Sequence, residues 1–223
     1  MRKFLQDLKP ERFEDLVAAL ALYRPGPIES GMADCFINRK NGCETIGYLH
    51  PLLEPLLRPT YGIILYQEQV MQISNVLAGC NMGEADALRK SMSRRDGNEI
   101  GKGRKKFIRG CSARRISPEI AERIFEQMSY FAQYGFIKAH ATAYALICYR
   151  TAFLKAFHPA EFMTTTLNAA IRNRDAAVLA ACLQECGKTG IELLRPDPST
   201  ARFTCSVAGS RQIRLGLGTA RRV

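Results

Sequence analysis

The stretch SPEIAERIFEQMSYF, residues 117–131, has the two features that define an amphipathic helix in a sequence. It opens with Ser117, Pro118 and Glu119, and a serine followed by proline and an acid is a typical helix start. Apolar residues then recur every three or four positions, at Ile120, Ile124, Phe125, Met128 and Phe131. This spacing predicts a helix that buries one apolar stripe in a core.

The same spacing recurs on both sides of this stretch and predicts a mainly α protein. Further helices are expected at residues 10–22, 30–39, 66–77, 81–92, 140–157, 159–171 and 175–186. Residues 41–62 carry three prolines, which predict an irregular connection with brief helical turns. Residues 93–103 carry three glycines among charged side chains, and this composition predicts a mobile basic loop.

A change to two-residue alternation near residue 190 predicts a small β segment at the end of the chain. Residues 191–194 are expected to form a short strand, and residues 203–207 and 213–217 a β-hairpin. The predicted organisation is a multi-helix domain over residues 1–173. An α+β segment, made of a helix, a short strand and the hairpin, follows over residues 174–223.

The composition is that of an ordinary globular protein with one strongly basic segment. Its 223 residues are 47% hydrophobic and 24% charged, with a formal net charge of +11. Residues 89–115 hold eleven basic and two acidic side chains, so they carry nine of these charges. Such a segment favours a polyanionic partner, and the alternative is a solvated surface that only keeps the protein soluble. The sequence has neither an apolar run of about 18 residues nor a secretory signal, which favours a cytosolic protein without a membrane span.

The eight cysteines, at positions 35, 43, 80, 111, 148, 182, 186 and 205, are not spaced as metal ligands. No two of them form a C-x2-C pair, and the three histidines lie far from the closest pair, Cys182 and Cys186. A zinc site needs four ligands close together, so this spacing argues against one. We expect reduced cysteines that serve as small buried apolar side chains.

Several longer stretches match one known family in order and spacing. They are KPERFED (9–15), ALYRPGP (21–27), SGM (30–32), FINRK (36–40), TYGIILYQEQVMQI (60–73), GEAD (83–86), LRK (88–90), YGF (134–136) and HPAEFM (158–163). Together they resemble the fingers domain of the family C polymerases, the bacterial DNA polymerase III alpha subunits. Residues 191–218 resemble the segment that follows the fingers in that family. The resemblance thus covers essentially the whole chain.

The resemblance implies a share in template-directed nucleotidyl transfer during DNA replication. In the family, two Mg²⁺ ions held by palm carboxylates activate the primer 3′-hydroxyl and stabilise the leaving pyrophosphate. This chain has no Asp-x-Asp pair, so the metal-binding carboxylates are expected outside it and no catalytic or metal-binding residue within it. The chain alone is therefore expected to be inactive. The implied partners are primer–template DNA, deoxynucleoside triphosphates, the rest of the polymerase chain and a replisome with a sliding clamp, near the nucleoid in the bacterial cytoplasm.

The matched positions supply the first candidate contacts with nucleotide and DNA. Arg89 and Lys90 correspond to the basic pair that faces the nascent base pair and the incoming nucleotide, and Arg94 and Arg95 to the basic run after it. Arginine can hold phosphate oxygens with two parallel N–H bonds, whereas lysine acts as a point charge. A solvated helix end is the alternative interpretation of these four residues.

Three other segments supply further candidates. Arg24, in a rigid Arg-Pro-Gly-Pro turn, either binds a phosphate or caps helix carbonyls. Tyr66 and Gln67 either contact substrate or belong to a buried network. In the family's Tyr-Gly-Phe loop, Lys138 and His140 are the implied donors to phosphate and to the region of the base.

The loop at residues 134–140 departs from the family pattern Tyr-Gly-Phe-Asn-Lys-Ser-His, because Ile137 and Ala139 replace an amide and a hydroxyl. The family's Gly-Lys-Lys is also replaced, by Ser-Arg-Arg at residues 93–95. A replicative polymerase, an error-prone relative and a degenerate paralogue remain open as the parent protein. The alternative function is a non-catalytic module that binds DNA or another polyanion. The Arg-Pro-Gly-Pro and Tyr-Gly-Phe loops favour the polymerase, since phosphate binding alone does not require them.

Overall fold

The computed structural model describes residues 1–94, 96–132, 134–197, 199 and 202–222. Its internal contacts divide the chain into two compact units, residues 1–145 and residues 146–223. The helices of the described residues are α1 Arg2–Leu8, α2 Phe13–Leu22, α3 Pro25–Glu29, α4 Met32–Lys40, α5 Glu54–Leu57, α6 Gln67–Ala78, α7 Met82–Arg94, α8 Gly97–Ala113, α9 Pro118–Ala132, α10 Lys138–Phe157, α11 Pro159–Asn173 and α12 Ala176–Lys188.

One core of the first unit is built by α6, α7, α8 and α9 around buried side chains that include Ile73, Leu77, Phe107 and Phe125. The helix ends are fixed by local signals that the sequence contains. Gly79 ends α6 in the left-handed conformation, at φ 71°. Asn81 and Glu84 then start α7 by exchanging two side-chain-to-backbone hydrogen bonds, of 3.0 and 3.1 Å. These four helices carry several of the candidate binding residues.

The second core of the first unit lies beneath α1, α2 and α4. It buries Leu8, Leu22, Phe36 and Leu65, and the small side chains of Ala141 and Ala145 from the first half of α10. After α4, residues 41–62 form an irregular connection with two 3₁₀ turns, Pro51–Leu53 and Arg58–Thr60, around the short helix α5. This confirms the connection predicted from the prolines.

The second unit packs α11 and α12 against a three-stranded sheet. The strands are β1 Glu192–Leu194, β2 Ser206–Gly209 and β3 Gln212–Arg214, in the order β1-β3-β2. β2 and β3 form the antiparallel hairpin, and β1 pairs with β3 in parallel. Leu167, Cys186 and Ile213 are fully buried between the helices and the sheet. The predicted fold class, mainly α with a small β segment at the end, is confirmed.

Two predictions about individual elements are wrong. The loop expected at residues 93–103 is largely helical in its described part, because α7 runs to Arg94 and α8 begins at Gly97. Asp96 caps α8, since its carboxylate accepts the backbone N–H of Glu99 at 3.2 Å. The first helix is α1, which was not predicted. The second begins at residue 13 rather than 10, since Asp15 accepts the N–H groups of residues 11 and 12 as a cap. The domain boundary expected at residue 173 stays a prediction.

The glycines of α8 have packing reasons that a sequence does not reveal. A side-chain carbon at Gly103 would collide with Leu88 of α7. A Cβ at Gly110 would lie 2.9 Å from the carbonyl carbon of Ala78 at the end of α6. Glycine at these two positions therefore lets α8 approach α6 and α7 closely, whereas in a sequence it suggests a loop.

Candidate functional site

Residues 134–136, part of the loop between α9 and α10, are held through their main-chain carbonyls to distant parts of the first unit. Arg24 donates Nη2–H to the Tyr134 carbonyl at 2.6 Å. Gln67 donates its side-chain Nε2–H to the Gly135 carbonyl at 3.2 Å and its backbone N–H to the Phe136 carbonyl at 2.9 Å. The loop therefore joins the start of α3 to the start of α6, and two of the sequence candidates make the connection.

Arg24 performs the capping role that the sequence left open. Its Nε–H donates to the Ala21 carbonyl at the end of α2, at 2.7 Å, and its guanidinium lies 4.5 Å above the centre of the Phe136 ring. Partial burial lowers the pKa of this guanidinium from its ordinary value. Two of its five N–H donors are used in hydrogen bonds to described residues, one to the Ala21 carbonyl and one to the Tyr134 carbonyl. Contact with a phosphate stays a prediction, and three donors remain for it.

Arg89 of α7 is connected to the same loop through Gln67. Its Nη1–H donates to Gln67 Oε1 at 3.0 Å, while Nε–H and Nη2–H donate to Asp86 Oδ1 at 3.1 and 2.6 Å. The side chain is only 17% exposed, so these bonds fix its orientation. Three of five N–H donors are occupied, and two remain for another acceptor.

Lys90 shares the same carboxylate but is far more exposed. Its Nζ lies 2.7 Å from Asp86 Oδ2, and 53% of its side chain is exposed. Lys90 first and Arg89 second lower the pKa of the Asp86 carboxyl below its ordinary value of 3.8, through their hydrogen bonds. A single acid therefore pairs with both members of the predicted nucleotide-facing pair and offsets one of their two charges. The sequence contains this signal, since Asp86 stands three and four residues before them.

Tyr66 and Lys138 lie together at the starts of α6 and α10. Tyr66 is only 4% exposed and belongs to the second core, where burial raises the pKa of its phenol. The Lys138 ammonium lies 5.6 Å from the centre of the Tyr66 ring. Its backbone N–H donates to both carboxylate oxygens of Glu68, at 3.0 and 3.1 Å. Glu68 thus caps the start of α10.

His140, one turn into α10, contacts aromatic rings on both sides. Its ring centre lies 5.5 Å from that of Phe136 and 4.6 Å from that of Tyr144. The Arg24 guanidinium contacts the Phe136 ring as well. Successive contacts therefore run from Arg24 through Phe136 and His140 to Tyr144. His140 is exposed and can therefore be reached by a ligand.

Of the remaining two candidates, the structure describes one. Arg94 is the last residue of α7 and is exposed. Arg95 lies outside the described residues. Among the described candidates, the structure thus brings Arg24, Tyr66, Gln67, Arg89, Lys90, Lys138 and His140 together around the loop at residues 134–136.

The basic segment at residues 89–115 is less open than its sequence suggests. Besides Arg89 and Lys90, three more of its cations pair with carboxylates, through Lys102–Glu99, Arg104–Glu122 and Lys106–Glu84. Arg114 donates instead to the carbonyls of Asn75 and Val76 at the end of α6. Because most of these acids lie outside the segment in sequence, its nine net charges overstate the field that a ligand meets.

Within the described residues, no three His, Cys, Asp or Glu side chains are clustered as metal ligands. Five cysteines are buried there, as expected of small apolar side chains, whereas Cys43 and Cys148 are exposed. No helix of the described part of the chain combines the length and the apolar character needed to cross a bilayer.

Comparison with known proteins places these features in one family. The family model "Bacterial DNA polymerase III alpha subunit finger domain" matches residues 1–115. The chain is 44% identical to DNA polymerase III subunit alpha of Pseudomonas aeruginosa, 43% to that of Escherichia coli K12 and 42% to that of Haemophilus influenzae. Each of these matches covers 100% of this chain but only 19 to 20% of the relative. The chain therefore spans about a fifth of the length of these curated relatives.

Proposed function

The chain belongs to the family of bacterial DNA polymerase III alpha subunit finger domains, and we propose that it binds the incoming deoxynucleoside triphosphate and primer–template DNA during nucleotidyl transfer. The observation that carries the proposal is the attachment of Arg89 to the loop at residues 134–136 through Gln67. This loop also contacts Arg24 through the Tyr134 carbonyl and His140 through the Phe136 ring, so the connection joins the basic pair on α7 to both. A lone phosphate site does not require such a connection between distant segments.

Arg89 and Lys90 differ in side-chain mobility, and we expect them to contribute to binding in different ways. Arg89 has a fixed orientation and two remaining N–H donors, so it is suited to hold phosphate oxygens in one geometry. Lys90 is half exposed and can follow the phosphates as a mobile charge. Arg94 extends the positive charge to the end of α7 and attracts the phosphates of the DNA backbone there.

The described residues do not fit the two Mg²⁺ ions of this chemistry, because they contain no cluster of carboxylates that could hold them. We propose that carboxylates of another part of the polymerase bind these ions. The other partners of the proposal are the rest of that chain, a replisome with a sliding clamp and DNA at the nucleoid of the bacterial cytoplasm.

A chimaeric polymerase tests the proposal. In it, this chain replaces the matching segment of the Escherichia coli alpha subunit, to which it is 43% identical. Arg89→Ala should lower kcat/KM for the nucleotide in primer extension by about tenfold or more, because charge-assisted hydrogen bonds contribute roughly 1.5–3 kcal/mol. Arg172→Ala, on the exposed side of α11, is the matched control and should change it by less than about twofold.

The outcomes separate the proposal from its alternatives. Equal extension by the chimaera and its Arg89→Ala variant would show that Arg89 does not bind the nucleotide. A folded chimaera without activity would favour a degenerate paralogue. A chain that binds DNA with steep salt dependence, but whose chimaera ignores nucleotide-site substitutions, would favour the non-catalytic module.

A further inference from the structure

Among the acids that the structure describes, Asp86 contacts both members of the basic pair on α7. Its Oδ1 accepts two N–H bonds from Arg89, and its Oδ2 pairs with Lys90. A carboxylate with both oxygens engaged by two cations resembles, in its contacts, the phosphate that those cations are proposed to bind. An incoming anion therefore meets donors that are already partly occupied.

Arg89 retains one side-chain acceptor, Gln67, if its two bonds to Asp86 break. Gln67 also accepts a hydrogen bond from the guanidinium, at 3.0 Å, and the side chain is largely buried. Asp86 and Lys90, by contrast, are 33% and 53% exposed. Exposed ion pairs open at a cost of about 1 kcal/mol or less. The Lys90–Asp86 pair can thus open at low cost. Asp86 makes two hydrogen bonds to the largely buried Arg89, so it leaves Arg89 only when another anion accepts those N–H groups.

We infer that Asp86 is an internal counter-ion that competes with the polyphosphate of the nucleotide for Arg89 and Lys90. This inference rests on the proposed function and adds a regulating residue to the same site. A triphosphate carries several negative charges and displaces the single carboxylate, whereas the carboxylate returns when the anion leaves. Asp86 therefore keeps the affinity for polyphosphate below the value that the two cations would give alone, and this favours release of the product pyrophosphate.

Titration of the 223-residue chain with sodium tripolyphosphate, followed by calorimetry, tests the inference. Asp86→Asn keeps the shape of the side chain and removes its charge, so it should tighten binding about fivefold. Glu122→Gln is a close control, because Glu122 is 35% exposed and pairs with Arg104, which is 49% exposed. This control should change binding by less than about twofold. Arg89→Ala should weaken it.

Tighter binding by Asp86→Asn but not by Glu122→Gln, with the far-ultraviolet circular dichroism of both variants unchanged, would support the competition, since the two substitutions remove the same charge. Unchanged or weaker binding by Asp86→Asn, with the expected loss in Arg89→Ala, would overturn the inference and leave the proposed function in place. Unchanged binding in Arg89→Ala would remove the proposed phosphate site and the inference with it. Equal tightening in Glu122→Gln would also overturn it, because the effect would then follow the net charge alone.

Discussion

The two kinds of glycine in α8 allow a sharp test of how this helix packs. Gly101 has open space where a side chain would stand, so Gly101→Ala should stabilise the protein by up to about 1 kcal/mol through helix propensity. At Gly110 the same change gains the same propensity but places Cβ 2.9 Å from the Ala78 carbonyl carbon. Overpacking costs about 1–3 kcal/mol, and backbone atoms yield least. We therefore expect a net loss of about 2 kcal/mol for Gly110→Ala.

Urea denaturation followed by far-ultraviolet circular dichroism measures both changes on the same chain. Because the substitutions are chemically identical and lie in one helix, differences in the unfolded state largely cancel between them. The predicted difference between the two variants is about 3 kcal/mol, from the sum of the two expectations above. Equal stability of the two variants would refute the close approach of α8 to α6. A neutral Gly101→Ala would instead favour the loop that the sequence predicted.

Three further outcomes follow from single contacts. The exposed thiols Cys43 and Cys148 should react rapidly with Ellman's reagent, and the five buried thiols only on unfolding. Rapid reaction of all these thiols in the folded protein would contradict the burial of the five. Asp86→Asn should destabilise the protein near neutral pH, and its difference from the unaltered chain should vanish as the pH falls through the lowered pKa of Asp86; a constant difference would exclude this cause. Gln67→Ala removes two side-chain hydrogen bonds and should lower the free energy of unfolding by about 1–2 kcal/mol, whereas exposed Gln72→Ala should not.

Elements with strong local signals could be predicted from the sequence. The end of α6 at Gly79 and the start of α7 at Asn81 depend on residues within one turn of the boundary. α8 could not be predicted in the same way. Glycine at position 110 is required by Ala78, 32 positions earlier, and a sequence pattern contains no information about that approach.

In the candidate site, too, local features could be predicted from the sequence and long-range contacts could not. Its residues could be named from family motifs, and the pairing of Asp86 with Arg89 and Lys90 follows from helical spacing. The connections that assemble the site join residues 68 and 110 positions apart, from Gln67 to Gly135 and from Arg24 to Tyr134. Such contacts arise from tertiary packing, so neither spacing nor composition predicts them.

The loop at residues 134–136 is anchored through its peptide carbonyls, and every amino acid carries that group. The side chains of Ile137 and Ala139, where the chain departs from its family pattern, are exposed and take no part in these bonds. Mutational drift at these two positions can therefore accumulate while the loop keeps its attachment to Arg24 and Gln67. Substitutions at these positions can therefore change the exposed surface beside the loop while its hydrogen bonds to Arg24 and Gln67 stay intact.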